Sequence, residues 1–427
     1  MALSRPAYAS AQGASVRISP RVTVARYAAR AAALLSRRLR GGSGLVIGGR
    51  VLLAGGPQVA TALSESRRIT LVSGTNGKTT TTALTAAALD DGRAVGTNRD
   101  GANTSAGLAG TLATTDVQRL VLEVDEGWLP WAVTVTSPAS VVLTNLSRDQ
   151  LSRHHEVGAL AATWRRCLAG VPLVVANVDD PHVVWPALTA RAQVWVSVGE
   201  RWTADSLVCP ACGGHCRRGD RRQARHWACD SCGLHRPQPD WWLDGTTLCG
   251  PGVRLPIELD LPGRFNLGNA ALALVTAHVA DGVPLEEAAR RLTTVGSVAG
   301  RFELLQRGPH TLRVMLAKNP AGWLEMLDLL ASDRHPVVLL FNADGVDGRD
   351  PSWLYDVSFA GLAGREVVVQ GHRAADLLVR LELDGVPARR VRGPVSAALA
   401  GLPPGRVDVV GNYTAFRRAL GELHHGR

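Results

Sequence analysis

The segment "RRITLVSGTNGKTTTTALTAAAL", residues 67–89, constrains the fold of this chain more than any other. The apolar, β-branched residues 69–73 predict a buried parallel strand, and the Thr, Ala and Leu residues after Lys78 predict a helix. Gly74 and Gly77 allow backbone N–H groups to surround an anion at the start of that helix. The segment therefore predicts an α/β fold with a phosphate-binding loop. The predicted nucleotide-binding residues are Gly74, Thr75, Asn76, Gly77, Lys78, Thr79 and Thr80.

Lysine is nearly absent from the chain, because 45 of its 47 basic residues are arginine and only Lys78 and Lys318 are lysine. A compact ammonium fits between phosphate oxygens where a wide planar guanidinium does not. Lys78 is predicted to reach the terminal phosphates, and the Thr79 hydroxyl is predicted to ligate Mg²⁺. Lys318, in "LAKNPAGW" after a predicted strand, is predicted to contact a phosphate or acyl-phosphate oxyanion. A solvated loop lysine is the alternative.

Positive charge is concentrated at the N-terminus. Residues 1–69 hold eleven arginines and one acid, and their net charge of +10 equals the net charge of all 427 residues. The remainder is nearly neutral, which argues against a nucleic-acid binder. The segment "RVTVARYAARAAALLSRRLRGG" predicts a helix packed through an apolar stripe, and a helix lying on an anionic membrane surface is the alternative. Without a membrane-length apolar run or a signal core, we expect a cytoplasmic protein, peripheral to the inner membrane face in the second case.

Four cysteines have the spacing of a zinc ribbon. Cys209-x-x-Cys212 and Cys229-x-x-Cys232 are separated by sixteen residues, and a glycine follows each pair. This pattern predicts a structural Zn²⁺ site with four thiolate ligands. Cys216 is a possible substitute ligand. Disulfides and a nucleic-acid-binding ribbon, suggested by the basic stretch "RRGDRRQARHW", are the alternatives.

The phosphate loop is shorter than the general G-x-x-x-x-G-K-[ST] pattern and resembles that of the Mur ligase and folylpolyglutamate synthase superfamily. Glu123 in "RLVLEVDEGWL" matches the magnesium-binding glutamate of that superfamily. Asn266 and Asn269 in "FNLGN" match its adenine-binding asparagines, and Arg301 in "AGRFELL" matches an arginine that faces ATP. The resemblance implies ATP and Mg²⁺ as ligands.

The chain departs from this superfamily at a second metal site. Mur ligases that add amino acids typically use a carbamylated lysine there, and this chain has no lysine between positions 79 and 317. In "NLSRDQLSRHHE", Gln150 replaces a histidine and Ser152 replaces an aspartate of the superfamily motif. A second Mg²⁺ would need another ligand, for which His154 is the candidate, or is absent.

The remaining motifs, "KNPAGW", "DGRDPSWLYDV" and "GNYTAF", together with the cysteines, resemble the MurT family of lipid II isoglutaminyl synthase subunits. The resemblance implies a carbon–nitrogen ligase in which ATP phosphorylates the α-carboxylate of D-glutamate in the lipid II stem peptide. Ammonia from a GatD-type glutaminase, the partner in a heterodimer, then gives D-isoglutamine. The resemblance also implies that an aspartate of the synthetase completes the catalytic triad of the glutaminase, with Asp350 as first choice, Asp356 as second and Asp347 as third. Trp353 and Tyr355 in the same segment are expected to be exposed and to anchor that interface.

Two rival functions remain at this stage. A single-chain amino-acid ligase of the Mur or folylpolyglutamate synthase type would turn over ATP without a partner. A nucleic-acid-dependent motor would need a basic binding face, which the nearly neutral remainder of the chain does not favour.

Repeated strand–helix units predict a second open α/β sheet in the last third of the chain. We expect a basic N-terminal segment (1–60) and a Mur ligase-type central ATP-binding domain (61–299). The zinc ribbon is inserted at 205–240, and a Rossmann-like α/β domain (300–427) follows and contacts the glutaminase.

Overall fold

A computed structural model describes residues 19–40, 42–98, 101–149, 157–199, 202–219, 226–296, 301–331, 333–344 and 350–425. The helices are α1 (Pro20–Arg40), α2 (Leu45–Ala54), α3 (Pro57–Ser64), α4 (Lys78–Leu89), α5 (Ser105–Thr114), α6 (Leu129–Thr136), α7 (Val157–Cys167), α8 (Pro181–Ala187), α9 (Arg264–Asp281), α10 (Leu285–Leu292), α11 (Pro320–Ala331), α12 (Ala374–Leu383), α13 (Val395–Leu399) and α14 (Tyr413–His425).

The strands form two α/β sheets and one small hairpin. They are β1 (Arg68–Ser73), β2 (Val95–Thr97), β3 (Arg119–Val124), β4 (Ser140–Leu143), β5 (Val174–Asn177), β6 (Gln193–Ser197), β7 (Cys216–Arg218), β8 (Trp227–Cys229), β9 (Trp241–Asp244), β10 (Thr247–Gly250), β11 (Val253–Pro256), β12 (Phe302–Arg307), β13 (His310–Leu316), β14 (Val337–Leu340), β15 (Val367–Gln370), β16 (Arg389–Arg390) and β17 (Gly405–Gly411).

The larger sheet has nine strands in the order β11-β10-β9-β6-β5-β4-β1-β3-β2. Seven strands of this sheet, β1 to β6 and β9, are parallel, and β10 and β11 add an antiparallel edge. Helices α4, α9 and α10 cover one face, while α5 to α8 cover the other. The predicted strand–loop–helix is confirmed as β1, the loop and α4, and β1 is central, between β3 and β4. The loop therefore opens at the carboxyl edge of the sheet, where ligands of such sheets bind.

The three N-terminal helices pack on this domain and share its core. Gly49 of α2 lies so close to α5 that an added Cβ would be 1.6 Å from the carbonyl oxygen of Ala106. Arg26 and Arg30 of α1 form ion pairs with Asp116. In the described part of the chain, no single helix has the length and apolarity to cross a membrane, and the α2–α3 pair, which has them jointly, is bent by 110°.

The predicted second sheet is confirmed and has six strands in the order β12-β13-β17-β14-β15-β16. All pairings are parallel except that of β12 with β13, a hairpin that the sequence reading did not resolve. Within the sheet, the fully buried Asp408 of β17 accepts hydrogen bonds from both Arg313 (2.6 Å) and Arg365 (3.0 Å). Two guanidinium groups on one carboxylate satisfy a charge that would otherwise be costly to bury.

The hairpin β7–β8 lies between β6 and β9 in the chain and is anchored to the larger sheet. The indole N–H of Trp227 donates to the carbonyl of Val178 (3.1 Å). The guanidinium of Arg236 donates two hydrogen bonds to one oxygen of the buried Asp179, at 3.1 and 2.8 Å. These buried polar contacts fix the orientation of the hairpin against the domain.

Candidate active site between the two sheets

The phosphate loop is held open by two glycines that no other residue could replace without strain. Gly74 and Gly77 have φ angles of 144° and 82°. A Cβ on Gly74 would be 1.9 Å from the hydroxyl oxygen of Thr144, and one on Gly77 would be 2.4 Å from Oδ1 of Asn269. Asn145 fixes the loop by accepting from the backbone N–H groups of Thr75 and Asn76, at 2.8 and 2.9 Å. The first amide groups of α4, which lack acceptors within the helix, lie beside this cradle.

Lys78 lies beneath the loop, and its ammonium is almost completely buried. It donates to the carbonyl oxygens of Gly74 and Thr75 and to the carboxylate of Glu126, which is 2.9 Å from Nζ. Burial opposes the charged form, but the carboxylates of Glu126 and Glu123 outweigh it and raise the pKa of Lys78. Burial likewise opposes charge on Glu126, yet Lys78 and then Lys318 lower its pKa. Both groups are therefore charged at neutral pH.

The second sheet closes the cleft from the opposite side. Lys318, two residues after the end of β13, forms an ion pair with Asp149 of the larger domain. The neighbouring Asn319 donates to Oδ1 of Asn76 in the phosphate loop (3.1 Å). Arg301 approaches the loop from the same side, with its guanidinium 3.4 Å from the hydroxyl of Thr79. Both lysines of the chain thus lie at one cleft, contributed by different domains.

The cleft has a volume of about 170 Å³, and its walls bring together most of the predicted ATP-binding residues. These wall residues are Thr75, Asn76, Gly77, Thr79, Thr80, Asn266, Asn269 and Arg301, and Lys318, predicted as a catalytic residue, lines the same cleft. Gly74 and Lys78 lie in the same loop, under this surface. Asn269 accepts from the hydroxyl of Thr81 (3.2 Å) and donates to Asn266 (3.3 Å), so the two asparagines are held in fixed orientations next to the loop.

Of the predicted magnesium ligands, Thr79 lines the cleft and Glu123 lies at the end of β3. Glu123 is buried and accepts a hydrogen bond from the side chain of Asn103 (3.0 Å). His154, with Gln150 and Ser152, lies outside the described residues.

The four predicted zinc ligands converge at the open end of the hairpin, before β7 and at or after the end of β8, where all four sulfur atoms lie within 4.8 Å of one another. The Sγ atoms of Cys209 and Cys232 are 3.6 Å apart, and those of Cys212 and Cys229 are 3.5 Å apart. A tetrahedron with Zn–S bonds of about 2.3 Å has sulfur separations of about 3.8 Å, so the cluster is compatible with zinc. Cys216 is buried on β7 and is not part of this group.

Within this cluster, backbone hydrogen bonds favour the thiolate form of Cys229, whereas burial raises the pKa of Cys209. Backbone N–H groups of Gly214 and Ser231 donate to the sulfurs of Cys212 and Cys229, each at 3.4 Å. Hydrogen bonds from Ser231 and Cys232 lower the pKa of Cys229 to about 6. The thiolate is the form that binds a metal.

The segment "DGRDPSWLYD" of the second domain has two aspartates among the described residues, and their surroundings differ. Asp350 is exposed and accepts from the backbone N–H of Ser352 (2.9 Å), a bond that lowers its pKa. Asp356 forms an ion pair with Arg148 (3.2 Å), which also contacts Asp205 at the base of the hairpin. Asp347 lies outside the described residues.

The aromatic residues of this segment also differ in exposure. Tyr355 is exposed, as expected for an interface anchor. Trp353 was expected to be exposed as well, but it packs edge-on against Phe341, with ring centroids 5.6 Å apart. Only Tyr355 is therefore placed to contact a partner through most of its surface.

Two family models match the chain. The Mur ligase middle domain matches residues 72–213, which include the phosphate loop, and the MurT ligase C-terminal domain matches residues 316–416, which include Lys318 and Asp350.

Curated relatives extend over most of the chain. It is 28% identical to the "Lipid II isoglutaminyl synthase (glutamine-hydrolyzing) subunit MurT" of Streptococcus pneumoniae, over 82% of this chain and 84% of the relative. It is 30% identical to the subunit of the same name from Staphylococcus aureus, over 74% of this chain and 77% of the relative. The chain belongs to the MurT family.

Solved structures agree with the fold of this family. A pseudomurein peptide ligase type C from Methanothermus fervidus matches with a TM-score of 0.66 and 17% identity, over 84% of this chain and 79% of that one. A MurF ligase from Thermotoga maritima in complex with ADP matches with a TM-score of 0.60 and 14% identity, over 87% and 83%. The two sheets therefore have the Mur ligase α/β fold.

Three polar residues at the MurT-family cleft were not assigned a role by sequence reasoning. Glu126 follows Glu123 by three residues in "EVDEGW", so its position after the same strand was the available signal. Asp149 stands at the aspartate of the superfamily motif, but nothing in the sequence pairs it with Lys318. Arg148, its neighbour, contacts both the hairpin base and the second domain, and no local pattern predicts this.

Proposed function

We propose that this chain is the synthetase subunit of a lipid II isoglutaminyl synthase. It amidates the α-carboxylate of D-glutamate in the stem peptide to D-isoglutamine, with ATP as the activating substrate. The observation that carries the proposal is the cleft itself, where the phosphate loop with Lys78 faces Lys318 from the second domain. The two MurT relatives, from Streptococcus pneumoniae and Staphylococcus aureus, support the proposal because both are named as subunits of this enzyme.

A carboxylate needs activation before ammonia can attack it, because it carries negative charge and lacks a leaving group. In the proposed reaction, a carboxylate oxygen attacks the γ-phosphorus of ATP and ADP leaves. Ammonia then attacks the acyl carbon, inorganic phosphate leaves with the C–O bonding electrons, and the nitrogen loses a proton. Each step moves negative charge onto oxygens that bound cations and N–H groups can stabilise.

The residues divide this work according to their positions. The loop amides and Lys78 hold the β- and γ-phosphates, and Arg301 contacts the phosphates from the second domain. Asn266 and Asn269, fixed by their hydrogen bonds, hold the adenine. Lys318 stabilises the acyl phosphate at the junction of the domains. Thr79 and Glu123 would hold Mg²⁺, which supplies charge neutralisation at the phosphates.

The four cysteines of the cluster would hold one structural Zn²⁺. Because all four ligands are thiolates, the metal would have no open position for catalysis. It would supply the folding energy that a hairpin of this size lacks. Because Asp205, just before Cys209, forms an ion pair with Arg148, the metal would also help to fix the loop that carries Arg148.

Ammonia comes from a glutaminase subunit of the GatD type bound to the second domain, residues 300–427. Asp350 is the carboxylate that orients the catalytic histidine of the glutaminase. It is exposed, ionised at neutral pH and bound only to a local turn among the described residues, whereas Asp356 is held by Arg148. A carboxylate on the Nδ1 side of a histidine fixes its tautomer.

The proposal is tested by mass spectrometry of a muramyl stem peptide, in lipid-linked or soluble form, incubated with the purified chain, ATP and ammonium ions. We expect a product one mass unit lighter, because OH is replaced by NH₂, and its formation should be slower by about 10²–10³-fold with Lys78→Met. Unchanged peptide under these conditions, or ADP release that requires a free amino acid instead of ammonia, would refute the assignment. The second outcome would identify a single-chain amino-acid ligase.

A further inference from the structure

The face of α1 that points away from the protein is apolar. Val24, Tyr27, Leu34, Leu35 and Leu39 are between 56% and 74% exposed. They recur with Ala28 and Ala31 at steps of three and four residues, so they share one side of the helix. The packed side of α1 uses the smaller residues Val22, Ala29 and Ala33. The sequence predicted an apolar stripe packed on the domain, yet the three leucines are on the opposite side.

A solvated helix normally presents charged side chains on its outer face, so this arrangement calls for an occupant. Each of these five side chains is larger than the alanines that anchor the helix. At 21 residues, α1 is about 30 Å long, and the exposed side chains extend over most of that length. The result is a straight apolar strip at the surface instead of a pocket.

The charged residues of α1 itself are all positive. Helix α1 contains six arginines and no acid. Arg26 and Arg30 are directed to Asp116, while Arg21, Arg37 and Arg38 are exposed near the two ends of the strip. A long apolar strip with cations at its ends is complementary to a surface that combines anionic groups with accessible hydrocarbon. An anionic lipid headgroup layer has both properties.

We propose that α1 is a membrane-surface anchor that lies parallel to an anionic bilayer, with its five exposed apolar side chains in the interfacial region and its terminal arginines at the lipid phosphates. The helix does not enter the catalytic cleft. The inference therefore stands apart from the proposed function, although a lipid-linked substrate would be brought closer to the enzyme.

The test uses the full chain and two sets of sedimented vesicles, one of phosphatidylglycerol mixed with phosphatidylcholine and one of phosphatidylcholine alone. We expect binding to the anionic vesicles, weaker binding to the neutral ones, and loss of binding at high salt. Leu35→Gln/Leu39→Gln should weaken the anionic partition constant by about tenfold or more. Arg37→Gln/Arg38→Gln should weaken it by about 30-fold.

Matched controls carry the same changes elsewhere. Leu304→Gln/Leu383→Gln alters two leucines of similar exposure, and Arg389→Gln/Arg390→Gln alters an exposed arginine pair on β16. Neither should change vesicle binding. Because every substituted side chain is exposed, all variants should keep the circular dichroism spectrum and ATP turnover of the parent.

Three outcomes would overturn the proposal: no binding to anionic vesicles, equal binding to neutral vesicles, or equal partition of the α1 variants and the parent. Sedimentation velocity of the chain, alone and with its glutaminase, tests whether the strip is instead an interface with a second copy or with the glutaminase. If Leu35→Gln/Leu39→Gln dissociates a dimer or that complex and leaves vesicle binding unchanged, the strip is a protein interface and the membrane assignment is wrong.

Discussion

Replacing Glu126 by Gln removes the carboxylate that pairs with the buried Lys78 ammonium and keeps the shape of the side chain. The two charges are 2.9 Å apart, and both side chains are about 5% exposed. At an effective dielectric constant of about 20, their attraction is about 6 kcal/mol, of which desolvation cancels a part. Breaking one side of such a pair costs about 3–5 kcal/mol, since the other charge stays buried without a partner.

The paired change gives the matched control. Lys78→Met/Glu126→Gln removes both charges, and an apolar replacement of a buried pair is often neutral. The double variant should therefore be more stable than Glu126→Gln alone, with a coupling free energy of about 1–3 kcal/mol in a double-mutant cycle.

The pH dependence follows from the directions of the pKa shifts. Glu126 has a lowered pKa in the folded state, so its contribution is present above the unfolded pKa and is lost as pH falls through the folded one. Lys78 has a raised pKa, so its contribution is present below its unfolded pKa and is lost only at higher pH. The stability difference between the parent and Glu126→Gln should be constant between about pH 5 and 10 and shrink in acid.

The assay is urea unfolding, monitored by the hydrogen exchange of residues 68–89, which form β1, the phosphate loop and α4. This readout isolates the segment that contains Lys78 in a chain of two domains, where a single melting temperature is ambiguous. If the free energy of unfolding of Glu126→Gln lies within about 0.5 kcal/mol of that of the parent, the buried pair does not stabilise the protein as described. Ordinary surface substitutions change the free energy of unfolding by up to about this amount.

Further results are expected for variants of Lys78, of the two aspartates and of the cysteine cluster. Lys78→Met should lower ATP-dependent amidation by about 10²–10³-fold, as measured by ADP release, because a cation at the transferring phosphoryl group is lost; a rate within tenfold of the parent would contradict its role. Asp350→Asn should lower glutamine-dependent amidation by about 10⁴-fold in the complex with the glutaminase and leave amidation with free ammonia unchanged. Asp356→Asn should keep most glutamine-dependent activity, and the reverse order of the two variants would reassign the triad. Cys212→Ser/Cys229→Ser should reduce the zinc content from about one ion per chain to none by elemental mass spectrometry, whereas Cys167→Ser should retain it.

Local patterns were enough to predict the strand, loop and helix around Lys78. The apolar run of β1 and the two glycines specify backbone conformation within a few residues, and burial on both faces of a parallel sheet leaves a continuous apolar signature. The four cysteines also predicted their own cluster, because the spacing within each pair is set by the turn that brings two sulfurs onto one metal.

The contacts that assemble the cleft could not be predicted in the same way. Glu126 reaches Lys78 from the end of β3, and Asp149 reaches Lys318 across two domains, so each pair depends on chain segments far apart in sequence. The orientation of helix α1 could not be predicted from the sequence either. Its periodicity predicted an amphipathic helix, but Ala29 and Ala33 pack closely on the domain while Leu35 and Leu39 are exposed.

The central claim is that the cleft between the two sheets transfers the terminal phosphoryl group of ATP to a carboxylate. The most direct measurement uses a stem peptide whose glutamate α-carboxylate carries ¹⁸O on both oxygens, with ammonia as nucleophile. The account predicts that one ¹⁸O appears in inorganic phosphate for each amide formed. Phosphate without label, released while the amide is formed, would contradict it.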